Sequence, residues 1–166
     1  MFIGTQSLKK RLTTAALAAL LLGATQLSLT SNHAFASYNY ALAHYTWASS
    51  GANTNNAVDG ATYDAWQPQF GGSGWITVDL DSLKSINQIV IKTPALGHIV
   101  QSVVISTSTD NITYVQQVST TCGFVLNNNY TSTINLPSTI SARYVRVSVA
   151  NAGTATMIGE LEVYGP

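Results

Sequence analysis

The sequence predicts an all-β domain, an antiparallel sandwich or barrel, from three observations. From Ser37 onward no stretch shows sustained 3.6-residue hydrophobic periodicity, so no helix is available to connect parallel strands. Short runs rich in β-branched residues recur instead, separated by Gly, Asn, Ser and Pro. At 46% hydrophobic and 8% charged residues, the chain is too apolar to be disordered.

Alternation of apolar and polar residues locates the individual strands. In residues 75–80, Ile76, Val78 and Leu80 share one face, which should point to the core. The valines of 143–149 alternate in the same way, so they too should point inward. Seven predicted strands follow from this pattern: 75–80, 86–92, 102–107, 113–118, 131–136, 143–149 and 157–164.

The N-terminal segment has the pattern of a secretory signal peptide. Three basic residues (9–11) precede an apolar run (12–22), and a small-x-small cleavage site follows (34–36). The apolar run is about half the ~20 residues that a membrane span needs, although an uncleaved anchor is the alternative. We therefore expect residues 1–36 to be removed. Residues 37–166 should form one secreted domain without membrane insertion, exported by a bacterial rather than a eukaryotic route.

The charges of residues 37–166 exclude several partners. This part of the chain has four basic residues and all seven acidic ones. It therefore lacks the basic surface that neutralises nucleic-acid phosphates, and no basic cluster attracts anionic lipid. Cys122 is the only cysteine, so no internal disulfide can form, and we expect it to be a small buried apolar residue.

Six short motifs occur in an order that resembles a known family. The motifs are residues 48–50, 56–60 with Trp66, 75–80, 108–111 with Tyr114, 142–147 and 159–163. Through them the chain is similar, from about Leu42 to Gly165, to the discoidin domain (coagulation factor V/VIII type C domain) and to related galactose-binding-like carbohydrate-binding modules. The resemblance implies an eight-stranded antiparallel jelly-roll sandwich with ligand loops at one end.

The resemblance also implies a structural calcium ion. Similar sugar-binding modules hold calcium with the aspartate of an Ala-x-Asp-Gly turn, a hydroxyl five residues later and a glutamate near the C-terminus. Calcium binds six to eight oxygens, so backbone carbonyls contribute as well. The matching side chains here are Asp59, Asp64 and Glu160, and the expected carbonyls are those of Asn56, Ala61 and Gly159.

Two points bear on this metal site. Asp64 stands where the similar modules have Thr or Ser, and its negative charge should tighten the site. In the alternative without a metal, Asp59 caps the turn before Gly60, and Glu160 pairs with Arg143 or Arg146.

Aromatic loop residues are the candidates for sugar binding, because ring faces match the C–H patches of sugars. Trp47, Trp66 and Phe70 are available, with Phe124 and Tyr130 as further candidates. The ligand-binding residues that we predict are Trp47, Gln67, Gln69, Phe70, Lys92 and His98.

The usual galactose contacts are not expected. The similar modules have His-Thr-x-Trp after the strand tryptophan, whereas Gln67 replaces the histidine here. Their Arg and Asn before Gly97 are replaced by Ala95 and Leu96. Lys92 or His98 can substitute, although a loop-packing role for His98 is an equal alternative. A different sugar, or a polysaccharide surface, is therefore expected.

The leading functional hypothesis is a non-catalytic carbohydrate-binding module or lectin, which binds a glycan or polysaccharide. The alternative is an adhesive domain that binds a cell-surface protein. An enzyme is disfavoured, because the sequence has no Gly-x-Ser-x-Gly elbow, HExxH motif or phosphate loop. Asp79 should bond neighbouring loop backbone. Arg143 and Arg146, which alternate with the inward valines, should form structural ion pairs.

Overall fold

The computed structural model describes residues 37–69, 72–96, 99–151 and 155–166. The predicted signal peptide (1–36) lies outside these ranges, as do the predicted ligand-binding residues Phe70 and His98. Two short 3₁₀ turns, Thr54–Ala57 and Leu126–Asn128, interrupt the strands. The strands are β1 (Thr46–Ala48), β2 (Gly74–Lys92), β3 (Ile99–Ser108), β4 (Val115–Phe124), β5 (Thr131–Asn151) and β6 (Glu160–Tyr164).

Two long strands, β2 and β5, take part in both layers of the fold. They pair in three segments: residues 74–79 with 144–149, residues 84–86 with 140–142, and residues 88–92 with 131–135. Register shifts after Asp79 and after Ile86 separate the three segments, and Asp81 at the first shift has a φ of 64°. Such irregularities bend a strand, so each long strand turns from one sheet into the other.

The six strands of the described residues join one hydrogen-bonded sheet. The bends of β2 and β5 divide each of these strands into two arms and the sheet into two parts, called here the five-stranded and the three-stranded sheet. In the first sheet the order is β1, β2, β5, β3 and β4, and every pairing is antiparallel. In the second sheet, residues 88–92 of β2 lie between β6 and residues 131–135 of β5. Counting each arm separately gives eight strands. The predicted all-β antiparallel sandwich is confirmed.

One core lies between these layers. Ile76, Val78 and Leu80 are fully buried, as are Val145 and Val147 across the sheet, so the predicted inward faces are confirmed. Cys122 is buried in the same cluster, and burial raises the pKa of its thiol. Side chains that alternate with these core residues form the outer face of each sheet.

Several strand predictions differ from the structure. The predicted strand 113–118 begins and ends too early, because β4 extends from Val115 to Phe124, and the predicted strand 157–164 begins too early, because β6 starts at Glu160. Runs 75–80 and 86–92 are arms of β2, and runs 131–136 and 143–149 are arms of β5. Hydrophobic alternation breaks at a bend, and the backbone pairing shifts its register there and resumes beyond it. The sequence also missed β1, which has three residues, too few to show a period. Among the described residues, no helix has the length and hydrophobicity needed to cross a bilayer.

Candidate functional site

Two acidic stretches that are far apart in the sequence lie against each other. The Gly60 amide donates a hydrogen bond of 3.1 Å to Glu160 Oε2, although the two residues are 100 positions apart. Glu160 begins β6 and is only 1% exposed. The neighbouring Gly159 is so close that a Cβ there would lie 3.2 Å from the Asp64 carbonyl oxygen. The segment 59–64 therefore packs on the start of β6.

Segment 59–64 and the start of β6 each have one carboxylate oxygen that is buried without a hydrogen-bond partner. These two atoms are Asp64 Oδ1 and Glu160 Oε1. Burial raises the pKa of Glu160 to about 7, and the negative charges of Glu162 and Asp59 contribute. A buried carboxylate oxygen without a donor is costly unless a cation or a proton reaches it. These oxygens are therefore suited to a hard cation such as calcium.

The third carboxylate of the predicted calcium site, Asp59, has another role in the structure. Asp59 Oδ1 accepts the Ala61 amide at 2.8 Å, which is the turn-capping role of the alternative. The other half of that alternative is wrong, because Glu160 pairs with neither Arg143 nor Arg146. Within the described ranges, no three His, Cys, Asp or Glu side chains gather at metal-binding distance. A cation here would therefore depend on carbonyls, and the predicted ones are those of Asn56, Ala61 and Gly159.

The two arginines of β5 have different partners. Arg143 donates from Nε and Nη2 to the two carboxylate oxygens of Asp79, both at 2.8 Å. This confirms its predicted ion pair, and it lowers the pKa of Asp79. Asp79 also accepts the Asp81 amide, which confirms its predicted bond to loop backbone. For Arg146 the ion-pair prediction is wrong, since no carboxylate of the described residues lies within ion-pairing distance.

An exposed stack of rings crosses the outer face of the five-stranded sheet. Tyr45 stacks on Trp47 with ring centroids 5.7 Å apart and an interplanar angle of 27°. Trp47 meets Tyr144 edge-on at 6.1 Å. Tyr45 is 69% exposed, so the stack is open to solvent. Rings held this way keep their orientation without a ligand, which lowers the entropic cost of binding one.

A depression of about 530 Å³ adjoins the Tyr45 end of this stack. The His44 imidazole lies 3.1 Å from Asp81, and Asn55 Oδ1 accepts a hydrogen bond from Thr46 Oγ1 at 3.2 Å. Aromatic, amide, imidazole and carboxylate groups thus meet in one concave surface, as in many small-molecule sites. Its lining residues are Ala43, His44, Tyr45, Asn55, Val58 and Asp59.

The predicted sugar-binding residues are distributed over three places. Trp47 belongs to the ring stack on the sheet. Gln67 and Gln69 are exposed on a loop, and the backbone N–H of Gln69 donates to Ser50 Oγ at 3.1 Å. Lys92 Nζ lies 2.6 Å from Glu162 on the outer face of the three-stranded sheet. The Lys92 ammonium is therefore already paired with Glu162, on the strand that begins at Glu160.

Two of the predicted loop aromatics are core residues. Trp66 is fully buried, its indole donates to the Ser50 carbonyl at 3.0 Å, and its backbone pairs with Ile158. Phe124 is also fully buried, and Tyr130 packs against the core. The prediction that these rings are available to a sugar is therefore wrong for Trp66 and Phe124.

Sequence reasoning missed Tyr45, Tyr144, His44 and Asn55. The spacing of Tyr45 and Trp47 did contain a signal, because residues two apart in a strand share a face. Without β1 in the predicted strands, that spacing had no meaning. Tyr144 joins them only through the register of β2 with β1 and β5.

Comparisons with known proteins agree with this architecture. A model of the F5/8 type C domain matches residues 34–161 of the chain. No curated protein matches the chain significantly.

Several solved structures are similar. One is chitosan-binding module 1 of a chitosanase/glucanase from Paenibacillus sp. IK-5, with 28% identity over 77% of this chain and 99% of that one, and a TM-score of 0.64. Another is CBM32-3 from a family 31 glycoside hydrolase of Clostridium perfringens, with 26% identity over 78% and 95% and a TM-score of 0.64. The family 32 module of C. perfringens NanJ, solved with galactose, has 20% identity over 77% and 97% and a TM-score of 0.64.

Proposed function

We propose, from the premise that this chain belongs to the F5/8 type C domain family, that it is an exported, non-catalytic module that binds a glycan. The similar structures at 26% and 28% identity are a carbohydrate-binding module and a chitosan-binding module. Both are binding domains of larger enzymes by their names, which supports a role in attachment rather than turnover.

The observation that carries this proposal is the exposed stack of Tyr45 and Trp47 beside the polar depression. A pyranose ring has an apolar C–H face and a polar rim of hydroxyls. The stack offers a flat apolar surface for the first, and His44, Asn55 and Asp59 offer hydrogen-bonding groups for the second. Gln67 and Gln69 supply a second set of exposed amides on the loop.

A structural calcium ion is the second part of the proposal. Asp64 and Glu160 would supply carboxylate oxygens, and Asp59 lies on the same turn. Bound there, the cation would neutralise the buried charges and fix segment 59–64 to β6. Because Asp59 also lines the depression, the ion would hold one wall of the glycan site in place.

A glycan array in calcium buffer, followed by calorimetry with the best ligand, tests glycan binding. We expect Trp47→Ala to weaken binding by about tenfold or more, since a few aromatic contacts carry most of the energy of such sites. Tyr63→Ala is the matched control, because Tyr63 is 83% exposed and lies outside the stack. Equal affinity of the Trp47 variant and the native protein would contradict the proposed site.

The alternative, an adhesive domain for a cell-surface protein, makes a different prediction. It expects no binding to any glycan of the array and retention of one discrete protein in a pull-down. Loss of that retention in the Trp47 variant would show that the ring stack serves a protein partner instead.

A further inference from the structure

A second depression, of about 450 Å³, lies on the outer face of the five-stranded sheet. Trp75 forms part of its wall, and the Trp75 amide donates to Ser49 Oγ at 2.9 Å, which leaves the Ser49 hydroxyl hydrogen for another acceptor. Its volume lies in the range of roughly 300–1,000 Å³ typical of small-ligand sites. The residues that line it with side-chain groups include Ser49, Ser73, Trp75, Ser102, Val104 and Ser148.

The neighbouring cation, Arg146, is held between two rings. Its guanidinium carbon lies 4.1 Å from the centroid of the Trp75 ring and 3.7 Å from that of Tyr114. Nε donates to Thr77 Oγ1 at 3.0 Å. Both rings pack against this planar group, and Tyr114 also hydrogen-bonds it, so the remaining Nη–H groups are the part best able to receive an anion. Trp75 is shared, since it also lines the depression.

Two of the basic side chains of the domain are paired with an acid: Arg143 with Asp79, and Lys92 with Glu162. Lys84 and Arg146 have no such partner in the part of the chain that the structure describes, and Lys84 lies over the Tyr40 ring, away from this face. No carboxylate of the described residues lies within ion-pairing distance of Arg146. This sheet face therefore has a preoriented positive charge in a domain whose acidic residues outnumber its basic ones.

We propose that the Trp75 depression is a separate binding site for an acidic polysaccharide, one that contains uronate units. The sugar ring would lie against Trp75, its hydroxyls would bond the serines, and its carboxylate would meet the edge of Arg146. Arginine matches a planar carboxylate with two parallel hydrogen bonds, which a neutral sugar cannot replace. This site does not depend on the glycan site at Tyr45 and Trp47.

Binding of polygalacturonate and polymannuronate to protein expressed from the full sequence tests this site. We expect binding that weakens as salt is raised, and no comparable binding of fully methyl-esterified polygalacturonate, which has the same sugar without the charge. If neither polyuronate binds, or if the ester binds equally well, the proposal is wrong.

Variants then locate the binding surface. Arg146→Gln should weaken polyuronate binding by about tenfold or more, since hydrogen bonds between charged groups are strong. Lys84→Gln, which removes a charge elsewhere, should leave it unchanged. Thermal unfolding checks that Arg146→Gln folds. Ser102→Phe, at an exposed position, fills the depression without touching the arginine and should also abolish binding. Native affinity in either the Arg146 or the Ser102 variant would overturn the proposal.

Discussion

The substitution Glu160→Gln tests the calcium site, because its effect on stability should reverse between chelator and calcium. Glu160 is 1% exposed, one of its oxygens has no partner, and burial raises the pKa of its carboxyl to about 7. In chelator at pH 8, the native protein must keep this charge buried. The amide of glutamine has nearly the same shape and no charge, so the variant should be at least as stable. In calcium the order should reverse, because only the native carboxylate attracts the cation.

The size of the calcium effect can be worked out for a domain of this length. A cation present at about 100 times its dissociation constant stabilises the folded state by about 2.7 kcal/mol. Unfolding about 130 residues carries an entropy of roughly 0.27 kcal/mol per kelvin, so the melting temperature should rise by roughly 10 °C. The native protein should show this rise between chelator and excess calcium, and Glu160→Gln should lose it.

Differential scanning fluorimetry with a calcium titration measures both quantities. Asp81→Asn is the matched control, because it removes an acidic charge whose side chain is 73% exposed and lies outside the cluster. It should keep the full calcium-dependent rise. The reasoning is refuted if the native protein melts at the same temperature in calcium and in chelator, or if Glu160→Gln keeps the rise.

Two further predictions concern the stability of the fold. Gly51→Ala should destabilise by about 1–3 kcal/mol, because Gly51 has a φ of +86° and a Cβ would lie 2.1 Å from the Gln67 carbonyl oxygen. Gly123→Ala, where a Cβ meets nothing within 4 Å, should change the urea midpoint little, and equal effects would contradict the argument. Arg143 lowers the pKa of Asp79. The ion pair therefore stabilises the folded state fully above about pH 4, and this stabilisation is lost as the pH falls through the folded-state pKa of Asp79. In Asp79→Asn the urea midpoint should therefore fall less steeply as the pH is lowered below about 4. An unchanged slope would count against this role of the ion pair.

The sequence predicted the strand interiors well, because side-chain alternation is a local property. Ile76, Val78 and Leu80 needed no knowledge of the rest of the chain to be placed inward, and all three are fully buried. For the same reason, the sequence predicted gaps between strands at the bends of β2 and β5. A bend interrupts the local pattern and shifts the pairing register, although the same strand resumes its pairing beyond the bend.

The aromatic residues show where local reasoning stops. Trp66 and Trp47 both follow polar, loop-like segments, and the sequence treated them alike. Trp66 became a core residue because it pairs with Ile158, 92 positions away, whereas Trp47 lies on an edge strand with its ring toward solvent. Which side of a loop faces the core depends on what packs against it, and that partner is distant in the chain.

What the sequence by itself determined is the all-β class, the inward faces of the strands and the family. The tertiary structure alone decided which of these groups meet: Glu160 with the turn at Gly60, Tyr45 and Trp47 with Tyr144, and Arg146 with two rings instead of an acid. The physical reason is that periodicity is set between neighbours along the chain. Convergence is set by strand register and by the bends of two long strands.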